Sequence, residues 1–376
     1  MAVHYGGKGP GHMSRSMGNG MLLNGAALSN WSAAVANRNS APAVLVVNGD
    51  SLGEGYTDAT TTVAVGSRWI DKLRDELYAK YPVAGVTPPA SSYVPAFRGT
   101  GSTAWTLIGA PTPTSYQNSF GLGLRAGNTA TIGSGYEITM TCTSISLHYI
   151  RGVGFADCKV EAFISGAYST VGTFSTAGAL SSQVWNSGAF SGTATKIKIT
   201  ANTAANFYLE GVRFYNGDEA KGFHVIDASH FGYLASNYSV NGTAPYAPLA
   251  FVQPHLVLFP LTYNDFAAQT AVATYTTNMQ STLASMRSVR AGQQAALISY
   301  GARGDVSSPT IPYSSYDTAM RTIATGDALS AHIKIYGRFP DCPVSPGSIP
   351  PEFSSDRIHW TTTGHALFAN VLALVL

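Results

Sequence analysis

A serine and a closely spaced aspartate–histidine pair are the residues of this chain best suited to nucleophilic chemistry. Ser51 stands in "VVNGDSLGEGYTD" (residues 46–58), where β-branched apolar residues give way to a polar, glycine-rich turn. Asp356 and His359 stand three positions apart in "SSDRIHW". A serine hydroxyl becomes a nucleophile when a histidine removes its proton and a carboxylate orients that histidine. Taken alone, Ser51 fits a helix cap better, and the Asp–His pair fits an ordinary surface feature.

The segments around these residues predict the elements that would bring them together. "APAVLVV" (41–47) is typical of a buried parallel strand, and "SRWIDKLRDELYAKYP" (67–82) has the apolar spacing of a helix. The change from apolar strand to polar turn recurs near residues 229 and 261. In a parallel sheet all these turns open at the carboxyl edge, where ligands bind. Further along, the pattern predicts a helix over 274–292, a strand over 295–303 and a closing helix over 361–376.

The pattern changes between residues 91 and 217. Short alternating runs such as "YEITMTCTSISLHYI" are rich in Thr, Val, Ile, Tyr and Phe and are separated by Gly, Ser and Asn. Such runs predict an all-β sandwich or jelly roll inserted into the α/β domain. We therefore expect an α/β domain over 41–90 and 218–376, an inserted domain over 91–217, and a flexible N-terminal arm over 1–40.

The composition narrows the setting of the protein. Only 11% of the residues are charged, which is well below the usual share for soluble domains. The net charge is +2, and the sequence contains no run of Lys and Arg residues. Neither nucleic acid nor insertion into a membrane is therefore expected, and no apolar run is long enough to span a bilayer. The first twenty residues lack the pattern of a secretion signal. Cys142, Cys158 and Cys342 form no C-x-x-C motif, and a bridge between the first two is one alternative to buried thiols.

The chain resembles the GDSL, or SGNH, family of serine esterases in four blocks that occur in the family's order. "NGDSLGEG" matches the block of the nucleophile with Ser51, and "DASHFGYLAS" matches the glycine block with Gly232. "LTYND" matches the G-x-N-D block with Asn264, and "DRIHWTTTGH" matches the D-x-x-H block with Asp356 and His359. The resemblance implies a three-layer, flavodoxin-like parallel sheet and a Ser–His–Asp triad. It further implies an oxyanion hole formed by Ser51, Gly232 and Asn264, with no metal and no cofactor.

Two features depart from the family pattern or leave a choice open. Leu261 or Thr262 stands where the third block usually has glycine. "FRGTGSTAW" (97–105) also resembles a glycine block, so Gly99 and Gly101 are alternatives to Gly232, which we favour because it follows an apolar strand.

Several nearby polar and aromatic residues have structural interpretations that we prefer to catalytic ones. His365 is expected to pack or to cap, and His230 to be structural rather than to border the pocket. Asp50 and Asp265 are assigned to turn hydrogen bonds, and Glu54 either lines the cleft or faces water. Aromatic residues of the 91–217 stretch could stack on sugar but are mostly expected in its core: Tyr149, Phe163, Trp185, Tyr208 and Phe214.

The resemblance and the expected β insertion favour an esterase that removes O-acetyl groups, or other esters, from a polysaccharide or cell-wall glycan. The alternatives are a non-catalytic module that binds a glycan or receptor on a hydrolase fold, and a lipid esterase. A Gly-rich arm, few charges and no recognisable signal suit a bacteriophage tail protein of the virion, with the arm contacting other tail proteins. A secreted enzyme is the other setting.

Overall fold

The computed structural model describes residues 21–99, 101–114, 121–345 and 347–376, with the side chain of Thr114 excepted. Within these ranges three sheets and a set of helices form the fold. The strands are β1 (Leu22–Leu23), β2 (Ala43–Val47), β3 (Tyr93–Pro95), β4 (Thr106–Ile108), β5 (Thr112–Thr114), β6 (Ala126–Thr129), β7 (Gly135–Cys142), β8 (Ser144–Arg151), β9 (Asp157–Ile164), β10 (Ala167–Ser175), β11 (Ser181–Asn186), β12 (Ala194–Ala201), β13 (Phe207–Tyr215), β14 (Phe223–Asp227), β15 (Leu256–Phe259), β16 (Ala295–Ser299) and β17 (Ser330–Lys334). The helices are α1 (Ser29–Ala36), α2 (Ser51–Glu54), α3 (Trp69–Lys80), α4 (Ala235–Val240), α5 (Leu249–Val252), α6 (Tyr263–Ala267), α7 (Val272–Val289), α8 (Tyr313–Gly326) and α9 (Thr362–Ala373). Single 3₁₀ turns cover Gly25–Leu28, Leu122–Leu124 and Ala244–Tyr246.

The first sheet carries the polar turns that the sequence singled out. Its strand order is β1-β17-β16-β15-β2-β14. The strands from β17 to β14 are parallel to one another, and β1 runs antiparallel at the edge. Strand β2 is central, with β14 on one side and β15 on the other, so the chain reverses its direction across the sheet beside β2. Ligand sites in open parallel sheets lie at such a reversal, outside the carboxyl ends of the strands.

Helices cover both faces of this sheet, which gives three layers. Successive side chains of a strand point to opposite faces. Leu45 and Val47 accordingly pack into one apolar cluster with α1, α3 and α9, while Val44 and Val46 pack into a second cluster with α4, α7 and α8. All five residues of β2 are buried, which explains the uninterrupted apolar run "AVLVV".

Strands β3 to β13 form two antiparallel sheets of the orders β10-β9-β12-β7-β4 and β11-β8-β13-β6-β5, with β3 paired to β13. Side chains of both sheets, such as Ile138, Leu147 and Val212, share a single apolar cluster. A mixed α/β fold with several sheets is therefore confirmed, whereas the division into a hydrolase domain and an inserted sandwich stays a prediction. Phe214, Tyr208 and Tyr149 are buried here, as expected for core residues. Phe163 and Trp185 are partly exposed, and Trp185 stacks on Phe174 with 4.9 Å between ring centroids.

The prediction of a flexible arm over 1–40 is wrong for residues 21–40, and residues 1–20 lie outside the described ranges. β1 pairs with β17, and α1 packs on the sheet through Trp31, whose indole N–H donates to the carbonyl of Leu376 over 3.2 Å. Alanine and serine are abundant in this segment but are compatible with a short helix. Burial of Trp31 and Leu28 supplies the stabilisation that a count of small residues does not reveal.

The helices and strands that the sequence predicted are present, and several further elements were missed. The predicted helices correspond to α3, α7 and α9, and the predicted strands to β2, β14, β15 and β16. Helix α8 and strand β17 had not been predicted. Cys142, Cys158 and Cys342 are all free and buried, so the alternative of a disulfide is not realised. No helix of the described ranges is long and apolar enough to cross a membrane.

Candidate active site

Ser51 is the first residue of α2, directly beyond the end of β2. Asp50 caps this helix, because its Oδ1 accepts the N–H of Leu52 over 3.0 Å. The helix ends after one turn at Gly55, whose φ of 85° is the left-handed conformation that glycine tolerates. A Cβ at position 53 would collide with the hydroxyl of Ser229. Gly53 therefore allows the loop after β14 to approach α2 closely. Since Asp50 is the cap, the hydroxyl of Ser51 is left for another partner.

That partner is the imidazole of His359. Nε2 of His359 lies 3.0 Å from Oγ of Ser51, and Nδ1 lies 2.7 Å from Oδ2 of Asp356. Serine, histidine and aspartate thus stand in one line, with a different ring nitrogen facing each partner. This is the arrangement in which a histidine can remove the proton of a serine while a carboxylate holds its tautomer.

Asp356 is held as an ionised carboxylate by the turn in which it lies. Burial alone would raise the pKa of Asp356. The hydrogen bonds from the His359 ring and from the backbone N–H groups of His359 and Ile358 outweigh burial and hold this pKa below its ordinary value. The negative charge therefore remains next to Nδ1, the position from which a carboxylate can stabilise an imidazolium.

The turn from 356 to 359 is fixed from outside as well. Arg357 adopts a left-handed φ of 63°, which is unfavourable for a residue with a Cβ. Its guanidinium donates to the carbonyls of Pro343 and Gly347, each over 2.7 Å. The hydroxyl of Tyr263 donates to the carbonyl of Ile358 over 2.7 Å. These bonds hold the strained turn that presents His359 to Ser51.

Three N–H groups around Ser51 are available to a ligand oxygen. The backbone N–H of Ser51 and that of Gly232 donate to no acceptor within the described ranges. Gly232 is exposed and has a φ of 74°. Nδ2 of Asn264 donates to the carbonyl of Tyr233 over 3.0 Å, and its second hydrogen has no acceptor among the described residues. Strands β2, β14 and β15, which precede these three residues, are neighbours in the sheet.

The alternative glycines are engaged elsewhere. The N–H of Gly99 donates to Oε2 of Glu54 over 2.8 Å, and that of Gly101 donates to the carbonyl of Arg98 over 2.8 Å. A donor already bonded to a carboxylate or carbonyl is a poor candidate for an oxyanion hole, since binding would first have to break that bond. The hydrogen bonding thus favours Gly232 over Gly99 and Gly101, while its role in catalysis stays a prediction.

Glu54 neither lines a cleft nor faces water, contrary to both of its predicted placements. It is fully buried, and its Oε1 accepts the N–H of Phe231 over 2.8 Å and lies 2.7 Å from Nη1 of Arg125. Burial raises the pKa of Glu54, and the charge of Arg125 opposes that shift. Arg125 also pairs with Asp227 over 2.8 Å, so one buried ionic network joins α2, the loop after β14 and the 91–217 stretch.

His230 and His365 have the structural roles expected of them, whereas the backbone N–H that Asp265 accepts belongs to Ala235, thirty positions earlier in the chain, and not to its own turn. Nδ1 of His230 lies 2.5 Å from the carbonyl oxygen of Gly123, and burial lowers the pKa of His230 to about 4. His365 is fully buried against Trp360. Asp265 accepts the N–H of Ala235 over 2.9 Å.

Two residues at the site were missed in the sequence. The ring of Phe231 stacks on the imidazole of His359 at 6.1 Å between centroids, and Nη1 of Arg303 donates to Oδ1 of Asn264 over 3.0 Å. A signal for Arg303 was present: it follows the end of β16 by four residues, the same offset by which Ser51 follows the end of β2. Polar residues at that offset share the carboxyl edge of the sheet.

Comparison with solved structures shows that most of the chain shares its fold with a peptidoglycan O-acetylesterase. The TM-score is 0.64 at 15% sequence identity, over 94% of this chain and 97% of the other. A family two carbohydrate esterase from Cellvibrio japonicus (TM-score 0.31, 10% identity, 76% of this chain and 97% of that one) and a salicylyl-acyltransferase from a tetracycline biosynthetic pathway (TM-score 0.33, 12%, 77% and 94%) match too loosely to support an argument. No protein-family model and no curated protein sequence matches the chain.

Proposed function

We propose that this protein is a serine esterase that removes O-acetyl groups from a polysaccharide or cell-wall glycan. The observation that carries the proposal is the line of contacts from Ser51 through His359 to Asp356, at 3.0 and 2.7 Å. The sequence resemblance to GDSL esterases supports the reaction class. The shared fold of the peptidoglycan O-acetylesterase supports the architecture, and its glycan ester substrate motivates the choice of substrate class.

The first half of the reaction transfers the acyl group to the protein. Oγ of Ser51 attacks the carbonyl carbon of the ester while Nε2 of His359 takes the hydroxyl proton. The negative charge that develops on the carbonyl oxygen is met by the N–H groups of Ser51 and Gly232 and by the amide of Asn264. When the tetrahedral intermediate collapses, the bond to the sugar oxygen breaks, and the imidazolium returns its proton to that oxygen.

The second half releases acetate. Nε2 of His359 takes a proton from water, whose oxygen attacks the acyl carbon, and the same donors stabilise the second oxyanion. Collapse breaks the bond to Oγ of Ser51, which recovers the proton from His359. Asp356 stays ionised throughout and keeps Nδ1 protonated, so Nε2 is free to accept a proton at the start of each half-reaction.

Acetate release from defined glycans tests this proposal. We expect the purified protein to release acetate from O-acetylated peptidoglycan or acetylated xylan, and Ser51→Ala to release it at a rate lower by roughly 10⁴-fold or more. Equal, slow release by both proteins would favour the binding module instead. Release of long-chain fatty acids from lipid esters, with no acetate from any glycan, would favour the lipid esterase.

The setting is a further part of the proposal. Few charges and the Gly-rich first twenty residues suit a component of a phage tail that degrades host surface polymers, and a secreted enzyme is the alternative. Mass spectrometry of purified virions and of culture medium separates the two: recovery in virions at a fixed ratio to known tail proteins supports the tail, and recovery only in medium contradicts it.

A further inference from the structure

We propose that Arg303 is a positioning residue that fixes the side-chain amide of Asn264 in the orientation needed for an oxyanion hole. The inference rests on the proposed esterase function, in which that amide donates to the carbonyl oxygen of the substrate.

The amide of Asn264 has two orientations of nearly equal shape, because its oxygen and its nitrogen differ little in size. Only one of them presents an N–H to an anionic oxygen, while the flipped orientation would present a carbonyl oxygen and repel it. A productive site therefore requires contacts that distinguish the two ends of the amide. Asn264 has one such contact at each end.

At one end, Nδ2 donates to the carbonyl of Tyr233 over 3.0 Å. At the other end, Oδ1 accepts from Nη1 of Arg303 over 3.0 Å. A guanidinium only donates hydrogen bonds. It can therefore bond to the amide oxygen of Asn264 but not to the amide nitrogen, which is itself a donor. The bond from Arg303 thus selects the orientation in which the second hydrogen of Nδ2 is left for the substrate.

Arg303 is itself rigidly held. Its Nε and Nη2 donate to the two carboxylate oxygens of Asp305 over 2.6 and 2.8 Å, and its guanidinium lies over the ring of Tyr263 at 5.3 Å. A planar guanidinium held on one edge and one face loses little further freedom when it forms another bond. The N–H of Gly304 donates to the carbonyl of Arg357 over 2.8 Å, which ties this segment to the turn that carries His359.

Kinetics of Arg303→Met, Asn264→Ala and the double variant test the proposal. We expect Arg303→Met to lower kcat for acetate release by about 10- to 100-fold and Asn264→Ala by about 100- to 1000-fold, with KM little changed in both. Because Arg303 acts through Asn264, the double variant should match Asn264→Ala alone. Arg303→Lys should recover part of kcat, since it restores a cationic donor without the fork that holds Asp305. Arg321→Met, the same change at an exposed arginine of α8, serves as the matched control and should equal the unmodified protein.

The outcomes separate this inference from the proposed function. If Ser51→Ala removes activity but Arg303→Met leaves kcat unchanged, Arg303 is not a positioning residue, and the proposed esterase function is still supported. The inference fails equally if the losses multiply in the double variant, or if KM rises instead, since Arg303 would then contact substrate directly. If Ser51→Ala leaves turnover unchanged, the proposed function fails first.

Discussion

Two clusters within the described residues each combine a serine, a histidine and an aspartate, and they differ in which atoms face one another. The first cluster is Ser51, His359 and Asp356. In the second, Oγ of Ser299 lies 3.1 Å from Nε2 of His332, and the hydroxyl donates a short hydrogen bond to Asp317. Both serines lie at the carboxyl ends of parallel strands of the same sheet: Ser51 comes after β2, and Ser299 is the last residue of β16. The serine and the histidine are buried in both clusters, so burial does not distinguish them.

The difference lies in which atoms face each other. In the first cluster the two nitrogens of His359 face opposite partners, so a proton can pass to Nε2 while the carboxylate supports Nδ1. In the second cluster Nε2 of His332 faces both the hydroxyl and, at 3.3 Å, Oδ1 of Asp317. The hydroxyl proton of Ser299 is already donated to the carboxylate, so the histidine has no serine proton to remove.

The surroundings differ in the same sense. Ser51 begins a helix beside N–H groups that have no acceptor in the described ranges, whereas the carbonyl of Ser299 accepts the N–H groups of Ile335 and Tyr336. Asp317 is bonded to Ser299 and also lies 3.4 Å from Nζ of Lys334. The second cluster therefore joins β16, β17 and α8, and its hydrogen bonds contribute to stability. Residue types alone would rank the two clusters equally.

The most direct way to break this comparison is to remove each serine. Ser51→Ala should lower kcat by roughly 10⁴-fold or more, since the nucleophile is lost. Ser299→Ala should leave kcat within about twofold and lower the free energy of unfolding by about 1 kcal/mol, the usual contribution of one hydrogen bond. Acetate release and urea unfolding of both variants provide the measurements. Comparable losses of activity would show that the clusters are not distinct in function.

The aspartates give the second contrast. In Asp356→Asn the oxygen must face the N–H groups of Ile358 and His359, so the new amide nitrogen faces Nδ1 of His359. That places the ring proton on Nε2, which can then no longer accept the proton of Ser51, and kcat should fall by about 10⁴-fold. Asp317→Asn should instead lower the free energy of unfolding by about 1.5–3 kcal/mol with kcat preserved. If Asp317→Asn lost as much kcat as Ser51→Ala, the assignment of Asp317 to a structural role would be contradicted.

The buried carboxylates behind the first cluster sharpen the comparison through stability. Glu54→Gln should lower the free energy of unfolding by about 3–5 kcal/mol, because it leaves Arg125 short of a buried counter-charge and directs an amide N–H at a backbone donor. Glu210 is the matched control: it is equally buried, but among the described residues it accepts only from Ser182 and Leu122. Burial raises the pKa of Glu210 to about 7, so Glu210→Gln should be close to neutral. Equal losses in urea unfolding would show that the ionic network has no special role.

The smallest expected contrast is in the pH dependence of stability. Burial raises the pKa of Asp50 from 3.8 to about 6, despite hydrogen bonds from Tyr300 and Leu52. The folded protein therefore binds this proton more tightly than the unfolded chain does. Its contribution to stability is complete below the ordinary pKa and is lost as the pH rises through about 6, by up to about 1.4 kcal/mol per pH unit within that window.

Asp317 should show the opposite sign. Burial alone would raise its pKa, but hydrogen bonds from His332 and Ser299 and the charges of His332 and Lys334 lower it. Its contribution is present above the ordinary pKa of aspartate and is lost as the pH falls through the lowered value. Urea unfolding between pH 3 and 7 checks both: Asp50→Asn should remove a decline in stability with rising pH, and Asp317→Asn should remove a rise. Unchanged slopes in either variant would contradict the corresponding shift.

Much of the site could be read from the sequence because catalytic residue types recur in short, ordered blocks. Ser51, Asn264 and the Asp356–His359 turn were each marked by a polar turn after an apolar strand or by tight local spacing. Helix α8 was missed although its buried residues recur at helical spacing. Strand β17 and the segment 21–40 carry weaker periodicity, and their stability comes from burial against the sheet. Phe231 and Arg303 were missed, and both predicted placements of Glu54 were wrong, because the partners of these residues are distant in sequence.

The sequence by itself determined which residue types stand at the carboxyl ends of the strands, since strand periodicity and turn composition are local properties. Only the tertiary structure decided that His359 turns one nitrogen to Ser51 and the other to Asp356, while His332 turns the same nitrogen to both of its partners. It likewise decided that the N–H groups of Gly99 and Gly101 are occupied and that of Gly232 is open. Hydrogen bonds act over about 3 Å and depend on direction. Such relations between distant segments are therefore set by how the layers pack and are not encoded at any one position of the chain.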